Sequence, residues 1–220
     1  MKQSDTWWDN QSLRGMRDKF LRDSVEGVDH PSRKYLRAWL EQHPNLCLLD
    51  IPCGPGVEYE GLQLYQTPVH YLGMDFSDTM VEIVKKKFPR ADFRAGSILQ
   101  IPLPDRAVDV VLCRHILEHL EDYHPAIKEA ARVSKRWVIL ILFREPNRAE
   151  RKNIGFGAWD NRLDWAELET FLRSLGFGYA TKSLMYDHPV PPAVEQNTVI
   201  VIDTQASCAG NLPVSASFGI

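Results

Sequence analysis

Leu46-Cys47-Leu48-Leu49-Asp50-Ile51-Pro52-Cys53-Gly54-Pro55-Gly56 is the stretch on which the reading of the fold turns. An apolar run of strand type ends at an acid, Asp50, and breaks into a turn holding two glycines, Gly54 and Gly56. In an open parallel sheet, ligands bind in the crevice at the carboxyl ends of the strands, where the chain passes into the next helix. Neither glycine carries a Cβ, so a ligand can approach the backbone at both, and either can adopt positive φ.

Two ligand classes compete for such a turn. A dinucleotide fold requires G-x-G-x-x-G, with the pyrophosphate on a helix N-terminus. Here Gly54-Pro55-Gly56 runs on into Val57-Glu58-Tyr59, so a tyrosine stands where the third glycine would be. Asp50 and Glu58 would also set negative charge beside a diphosphate in a partly desolvated crevice, which is unfavourable. A phosphate-free ligand with an ammonium and a sulfonium reverses the sign of that interaction, and the sequence favours it.

Outward from this turn, strand and helix patterns alternate, the α/β signature. Strands are predicted over Leu46–Asp50, His70–Asp75, Ala91–Ala95, Val108–Cys113 and Trp137–Phe143, the last apolar throughout and so buried on both faces. Helices are predicted from about Val57, after Ser77 as cap with Met80, Val81, Val84 and Phe88 on its apolar face, and over Pro125–Ser134. Residues 144–163 read as a long polar connection, a length that in a compact domain marks a functional or mobile loop. Asp164-Trp-Ala-Glu167 starts a further helix and Gly176 ends it. Phe177–Tyr186 and Asn197–Ile202 then supply two strands of an antiparallel hairpin.

Ahead of the first strand, Trp7, Trp8, Leu13, Met16 and Phe20 approximate helical spacing. Tyr35, Leu36, Trp39 and Leu40 form a second apolar stripe, closed by His43-Pro44. The division expected is cap helices over 1–45, a main domain over 46–204 and a loosely ordered tail over 205–220.

At 220 residues, with 44% hydrophobic and 25% charged residues, the chain can bury one sizeable core, and disorder is not expected. A net charge of −3 leaves no general basic footprint, so no nucleic-acid partner is expected. No apolar stretch approaches the roughly 20 residues of a membrane span, and Met1-Lys2-Gln3-Ser4-Asp5-Thr6 lacks the apolar centre of a signal peptide. Cys47, Cys53, Cys113 and Cys208 show no C-x-x-C spacing; reduced thiols and a cytoplasmic location are the expectation.

Leu49-Asp-Ile-Pro-Cys-Gly-Pro-Gly56 resembles motif I of the class I S-adenosylmethionine-dependent methyltransferases, written L-D-x-G-C-G-x-G. Pro52 replaces the first glycine, as in some relatives. The resemblance continues in order through Tyr71-Leu-Gly-Met-Asp-Phe-Ser77, Phe93-Arg-Ala-Gly-Ser97 and Val108-Asp-Val-Val-Leu-Cys113, and covers roughly residues 40–204. It implies a Rossmann-like α/β fold: a seven-stranded mixed sheet of order 3-2-1-4-5-7-6, helices on both faces and an N-terminal helical cap. It implies S-adenosyl-L-methionine as cofactor and a small-molecule methyl acceptor, of the natural-product-intermediate kind, methylated on oxygen or nitrogen.

The same resemblance distributes the site residues. Asp50, Gly54 and Gly56 go to the methionyl end, with Pro52 and Cys53 in the same turn. Asp75 can accept from both ribose hydroxyls, much as the acid about 20 residues on does in dinucleotide folds. Phe76 lies against the adenine face. Ser97 and the Ile98 N–H face the adenine edge, although relatives often carry an acid there. Cys113 and Arg114 lie beside the methyl group, with His115 as candidate general base. For Asp50 and Asp75 the competing reading is an aspartate that only caps backbone donors; for Ser97 it is a plain loop serine. N-terminal segments of related enzymes often close over the cofactor, which would be the task of Trp7 or Trp8; simple packing on the sheet is the competing reading.

His115-x-x-Glu118-His119 also spells an inverted zinc-protease motif, in which two histidines four apart on a helix bind zinc. That motif needs a further carboxylate from a larger protease fold, and related methyltransferases carry a Leu-Glu-His-Leu run here without metal, so no metal is expected. Arg144, His188, Arg14 and Arg17 are candidates for holding an anionic acceptor, against the solvated surface role usual for such residues. No Asn/Asp-Pro-Pro-Tyr/Phe run and no catechol-type carboxylate pair is present. Because fold does not fix chemistry, a non-methylating enzyme and a cofactor-binding scaffold protein stay open as alternatives.

Overall fold

A computed structural model describes residues 27–155, 158–187 and 194–207. The expectations for Trp7, Trp8, Leu13, Arg14, Met16, Arg17, Phe20, His188 and Cys208 fall outside the described residues.

The elements run α1 (Pro31–Glu41), β1 (Leu46–Asp50), α2 (Val57–Leu64), β2 (Val69–Asp75), α3 (Asp78–Lys87), β3 (Asp92–Ala95), β4 (Val108–Arg114), α4 (His124–Val133) and β5 (Ser134–Leu142). Four short strands follow, β6 (Asn147–Glu150), β7 (Asn153–Gly155), β8 (Ala158–Trp159) and β9 (Arg162–Asp164), and then α5 (Trp165–Ser174), β10 (Phe177–Asp187) and β11 (Val194–Ser207). The sheet has seven strands in the order β10-β11-β5-β4-β1-β2-β3, which is 3-2-1-4-5-7-6 when the last two strands are counted sixth and seventh. β1 through β5 pair in parallel, and β11 runs antiparallel to both β5 and β10.

Strand periodicity sorts the core into two layers. Leu48, Val110, Leu112, Ile139 and Ile141 face α1 and α2, meeting Leu36, Trp39, Leu40 and Leu62. Their neighbours Leu49, Val111, Leu140 and Leu142 face the other way, onto Ala126, Ile127 and Ala130 of α4 and Leu168 and Leu172 of α5. Successive residues of a strand point to opposite faces, so an apolar run with no alternation belongs in the middle of a covered sheet. The caps fall where expected: Ser77 Oγ accepts from the Met80 N–H at 3.2 Å, Asp164 accepts from the Glu167 N–H at 3.1 Å, and Gly176 ends α5 at φ +74°.

One expectation needs correcting. The connection from 144 to 163 is not a plain loop: β6 pairs with β9 and β7 with β8, building two small antiparallel ribbons. These strands are two to four residues long and mostly polar, too short for an alternating pattern to register in the sequence.

Candidate functional site

The carboxyl ends of β1, β2 and β4 and the first turns of α1 and α2 converge at one edge of the sheet. Asp50 closes β1 with its side chain buried. Leu48, two residues earlier on the same face, pairs with Tyr71 of β2, and this register lets the Tyr71 hydroxyl donate to Asp50 Oδ2 at 2.6 Å. Burial, reinforced by the nearby Glu58 carboxylate, pushes the Asp50 carboxyl up to about 8, against the opposing pull of Tyr71, Arg33 and Arg114. Burial also raises the Tyr71 phenol well above its ordinary value, so it stays a donor.

The two glycines of the turn are required for different reasons. Gly54 sits at φ +50°, and a Cβ built there would meet nothing within 4 Å, so its backbone faces open space. Gly56, at φ +78°, would place a Cβ 2.6 Å from Val84 Cγ2, so its glycine is set by the close approach of α3. A side chain at Gly54 would thus meet open space and one at Gly56 would not, and both glycines take positive φ. Tyr59, in place of a third glycine, fills an aromatic cluster with ring centroids 5.0 Å from Tyr71 and Phe88 and 5.6 Å from Phe93. That side chain occupies the space that a dinucleotide fold keeps clear for close helix–strand packing.

Asp75 ends β2 buried, and both carboxylate oxygens take backbone bonds: Oδ2 from the Gly54 N–H at 2.9 Å and Oδ1 from the Ser77 N–H at 3.0 Å. It therefore ties the glycine turn to the start of α3. Phe76 follows it half-buried, as is Pro52 in the glycine turn. Ser97 Oγ accepts from the Leu99 N–H at 3.2 Å, a local turn bond, and the Ile98 side chain belongs to the core. The Cys53 and Cys113 side chains are buried, and burial drives both thiols far up, so neither supplies a thiolate.

Beyond β4 the chain does not continue as an α-helix. His115 takes φ +53°, and only a single turn of 3-10 helix, Leu117–His119, follows. His115 and His119 thus share no helical face, contrary to what the zinc reading needs. The His115 ring stacks on Phe143 with centroids 3.8 Å apart; burial and then the Arg114 and Arg33 guanidiniums hold it well below its ordinary value, so it is neutral at pH 7. Glu118 Oε1 accepts from the Phe143 N–H at 2.6 Å, and Asn161 N–H donates to the Glu118 carbonyl at 2.8 Å. His119 Nδ1 bonds the Trp159 carbonyl at 2.9 Å, and Asn161 Nδ2 donates to the Leu120 carbonyl at 2.7 Å. The turn after β4 is in this way bolted to the ribbons. Arg144, a candidate for an anionic acceptor set against a solvated surface role, is exposed and pairs with Asp160 at 3.0 Å.

The structure adds residues that the sequence reading passed over. Arg33, in the first turn of α1, is buried and pairs with Glu58 at 2.5 Å; the Arg114 Nε lies 4.0 Å from the same carboxylate. Arg114 also donates to Ser32 Oγ at 3.2 Å, joining the end of β4 to α1. The signal was present: Arg33, Leu36, Arg37 and Leu40 stand at i, i+3, i+4 and i+7, so both arginines fall on the apolar stripe of the helix.

Residues 49–142 match a family profile described as "Methyltransferase domain". This stretch is similar to the domains of S-adenosylmethionine-dependent methyltransferases. A Mycolicibacterium smegmatis protein named "Probable S-adenosylmethionine-dependent methyltransferase" is 30% identical over 134 residues, 59% of this chain and 51% of that protein. The chain thus spans about half the length of that relative. A ubiquinone/menaquinone biosynthesis C-methyltransferase of Campylobacter jejuni is 26% identical over 109 residues, 47% of this chain and 46% of its own. Among solved structures, a Burkholderia thailandensis 1,6-didemethyltoxoflavin N1-methyltransferase with bound S-adenosylhomocysteine superposes with TM-score 0.64 at 13% identity, covering 87% of each chain. The magnesium protoporphyrin IX methyltransferase of Synechocystis, with bound S-adenosylmethionine, superposes with TM-score 0.58 at 20% identity, covering 88% of this chain and 84% of that one. At these identities the two structures show the fold alone. S-adenosylmethionine is the ligand bound in the Synechocystis structure. The residues present suit it: an open glycine turn at Gly54 beside the buried carboxyl of Asp50, which can accept from an ammonium.

Proposed function

We propose that this protein transfers a methyl group from S-adenosylmethionine to an oxygen or nitrogen of a small molecule, of the natural-product-intermediate kind. The observation that carries the reading is the pairing of Gly54, whose backbone opens onto free space, with the buried Asp50 carboxyl at the end of β1. That pair suits the ammonium of an aminoacyl arm, which favours the ionised form of the Asp50 carboxyl.

The cofactor supplies a methyl group held on a sulfonium sulfur. Asp50 and Glu58 hold the ammonium, while the backbone of Pro52, Cys53, Gly54 and Gly56 forms the floor. Asp75 holds the ribose hydroxyls, Phe76 covers the adenine face, and Ser97 and the Ile98 N–H meet the adenine edge. Cys113 and Arg114 border the reacting end. The chief catalytic device is proximity: acceptor and methyl held in line in a space from which water is excluded. For a hydroxyl acceptor a base is needed, and the neutral His115 imidazole takes the proton at a ring nitrogen. The division into cap (1–45), methyltransferase domain (46–204) and tail (205–220) belongs to the same reading. So does a cytoplasmic setting, supported by the free thiols of Cys47, Cys53 and Cys113. Among the described residues no helix is long and apolar enough to cross a membrane.

The test is production of S-adenosylhomocysteine on incubation with S-adenosylmethionine and a panel of hydroxyl- and amine-bearing small molecules. Turnover with members of that panel is the expected result. Tight cofactor binding with no turnover on any acceptor would favour a scaffold protein, and turnover confined to RNA, DNA or protein would remove the small-molecule reading.

A further inference from the structure

Glu118 is a carboxyl with no part in the methyl transfer described above. It stands in the single 3-10 turn after β4 and is buried, and among the described residues its Oε2 has no hydrogen-bond partner. Its Oε1 accepts from the Phe143 N–H at 2.6 Å. Burying an ionisable group is costly, and burial pushes this carboxyl up to about 7. With one oxygen idle, the influence of the side chain runs through the Phe143 N–H.

Phe143 lies one residue beyond β5, whose ladder to β11 stops at the pair Leu142 and Thr198. Buried backbone groups need partners, and here side chains supply them. Glu118 takes the N–H, and Nδ2 of the fully buried Asn197 donates to the carbonyl at 3.2 Å. The ring so placed stacks on the His115 imidazole, with centroids 3.8 Å apart and planes 26° from parallel. His115 itself sits at φ +53°, a region that residues with a side chain rarely occupy and that persists only where the surroundings over-determine it. The end of β5 does so twice: the Ile141 carbonyl accepts from the His115 N–H at 2.8 Å, and the Phe143 ring covers the imidazole. His115 and Glu118 stand three residues apart, so the turn after β4 grips Phe143 by its ring and by its backbone.

We propose that Glu118 is a positioning residue for His115: by holding the Phe143 N–H it sets the ring on which the imidazole rests, and so the direction from which a ring nitrogen meets an acceptor hydroxyl. The proposal rests on the methyltransferase reading above, with His115 as its base. In that step the hydroxyl proton passes to an imidazole nitrogen as the acceptor oxygen bonds the methyl carbon, and the electron pair of the broken carbon–sulfur bond stays on sulfur. A nitrogen that attacks as the free amine needs no base beforehand, so the effect of Glu118 belongs to hydroxyl acceptors.

The experiment compares Glu118→Met and Glu118→Leu, which cannot accept from the Phe143 N–H, with Glu118→Gln, which keeps an amide oxygen for it. The first readout needs no ligand: the ring signals of histidine-labelled protein, followed by NMR between about pH 5 and 8. In wild type and in Glu118→Gln, His115 should show the shift of a ring stacked on phenylalanine and should not titrate, its value being held low by burial. In Glu118→Met and Glu118→Leu that shift should be lost and the ring should begin to titrate. His43 and His70, near the amino ends of the strands, should stay in place and report an intact fold. Phe143→Leu should release His115 in the same way, and combining it with Glu118→Met should add nothing further. The second readout is turnover. With a hydroxyl acceptor from the panel above, Glu118→Met should lower kcat about tenfold or more with KM within about twofold, and with an amine acceptor kcat should hold within about twofold. His115 signals unmoved in both Glu118→Met and Glu118→Leu, or equal losses of turnover on hydroxyl and amine acceptors, would overturn the proposal. His115 released in those variants, with no turnover by wild type on any acceptor, would bring down the methyltransferase reading and leave the link from Glu118 to His115 standing.

Discussion

The Tyr71 hydroxyl donates to Asp50 Oδ2 at 2.6 Å across the β1–β2 pair, which places a neutral donor against a carboxyl raised to about 8. In the free protein at pH 7 this carboxyl is therefore mostly protonated, and an arriving ammonium favours its ionised form. Cofactor binding should release a proton. Calorimetry of S-adenosylhomocysteine binding in two buffers of different ionisation enthalpy should show that release at pH 7, with affinity rising from pH 6 towards pH 8. Asp50→Asn should abolish the release. Tyr71→Phe removes a bond that lowers the Asp50 value, so the rise should move to higher pH. A binding enthalpy independent of buffer would contradict this account.

Gly54 and Gly56 separate stability from binding. Alanine at Gly56 meets Val84 at 2.6 Å and must hold φ +78°, so Gly56→Ala should cost about 2 kcal/mol or more in stability, read as a lowered denaturation midpoint. Gly54→Ala meets no neighbour and faces only the backbone penalty at φ +50°, roughly 1 kcal/mol. Its methyl group instead projects into the space where ligand approaches, so its larger effect should be on S-adenosylhomocysteine affinity. The reverse pattern, with Gly54→Ala the more destabilising and the weaker in its effect on affinity, would reject the division of roles.

What the sequence made legible follows from burial. β1, β4 and β5 are covered on both faces, so their apolar runs stand out, and the glycine turn, the Ser77 and Asp164 caps and the Gly176 stop have local chemical causes. The ribbons of 144–164 were hidden because they are held by side chains distant in sequence: Asn161 on the Leu120 carbonyl, Trp159 on His119, Arg144 on Asp160. Arg33 was hidden for another reason. A charged residue on a helix ordinarily points to solvent, and only its place on the apolar stripe beside Leu36 and Leu40 marks it as buried. The separate duties of Gly54 and Gly56 depend on where α3 lies, which no local pattern states.

Asp75 carries both a structural and a binding task, and the two can be pulled apart. Asp75→Ala strips an acceptor from the Gly54 and Ser77 N–H groups, so it should lower the melting temperature as well as weaken S-adenosylhomocysteine binding by roughly 1–3 kcal/mol. The binding share is isolated by the 2′-deoxyribose analogue. Wild type should prefer the ribose ligand, and Asp75→Ala should bind the two nearly alike, closing the double-mutant cycle. A preference for ribose that survives the substitution would remove Asp75 from the ribose site.

Glu118 gives a stability prediction independent of any ligand. Its carboxyl is 2% exposed, accepts from the Phe143 N–H, and is raised by burial from 4.5 to about 7. A carboxyl whose folded value lies above its unfolded one contributes its stability fully below the unfolded value and loses it as pH rises through the folded one. Between pH 5 and pH 8.5 the folded protein must therefore give up stability as Glu118 ionises, by about 3 kcal/mol at most for a gap of this size. Glu118→Gln keeps an amide oxygen to accept from Phe143 and never ionises. Its thermal unfolding should match wild type near pH 5 and lie at higher temperature at pH 8.5; Asp50, which weakens the fold in the same direction, is unchanged in both proteins and cancels. A variant no more stable than wild type at pH 8.5 would mean that the ionised carboxylate is compensated in place, with Arg144, which already pulls the Glu118 value down, as the group to test next.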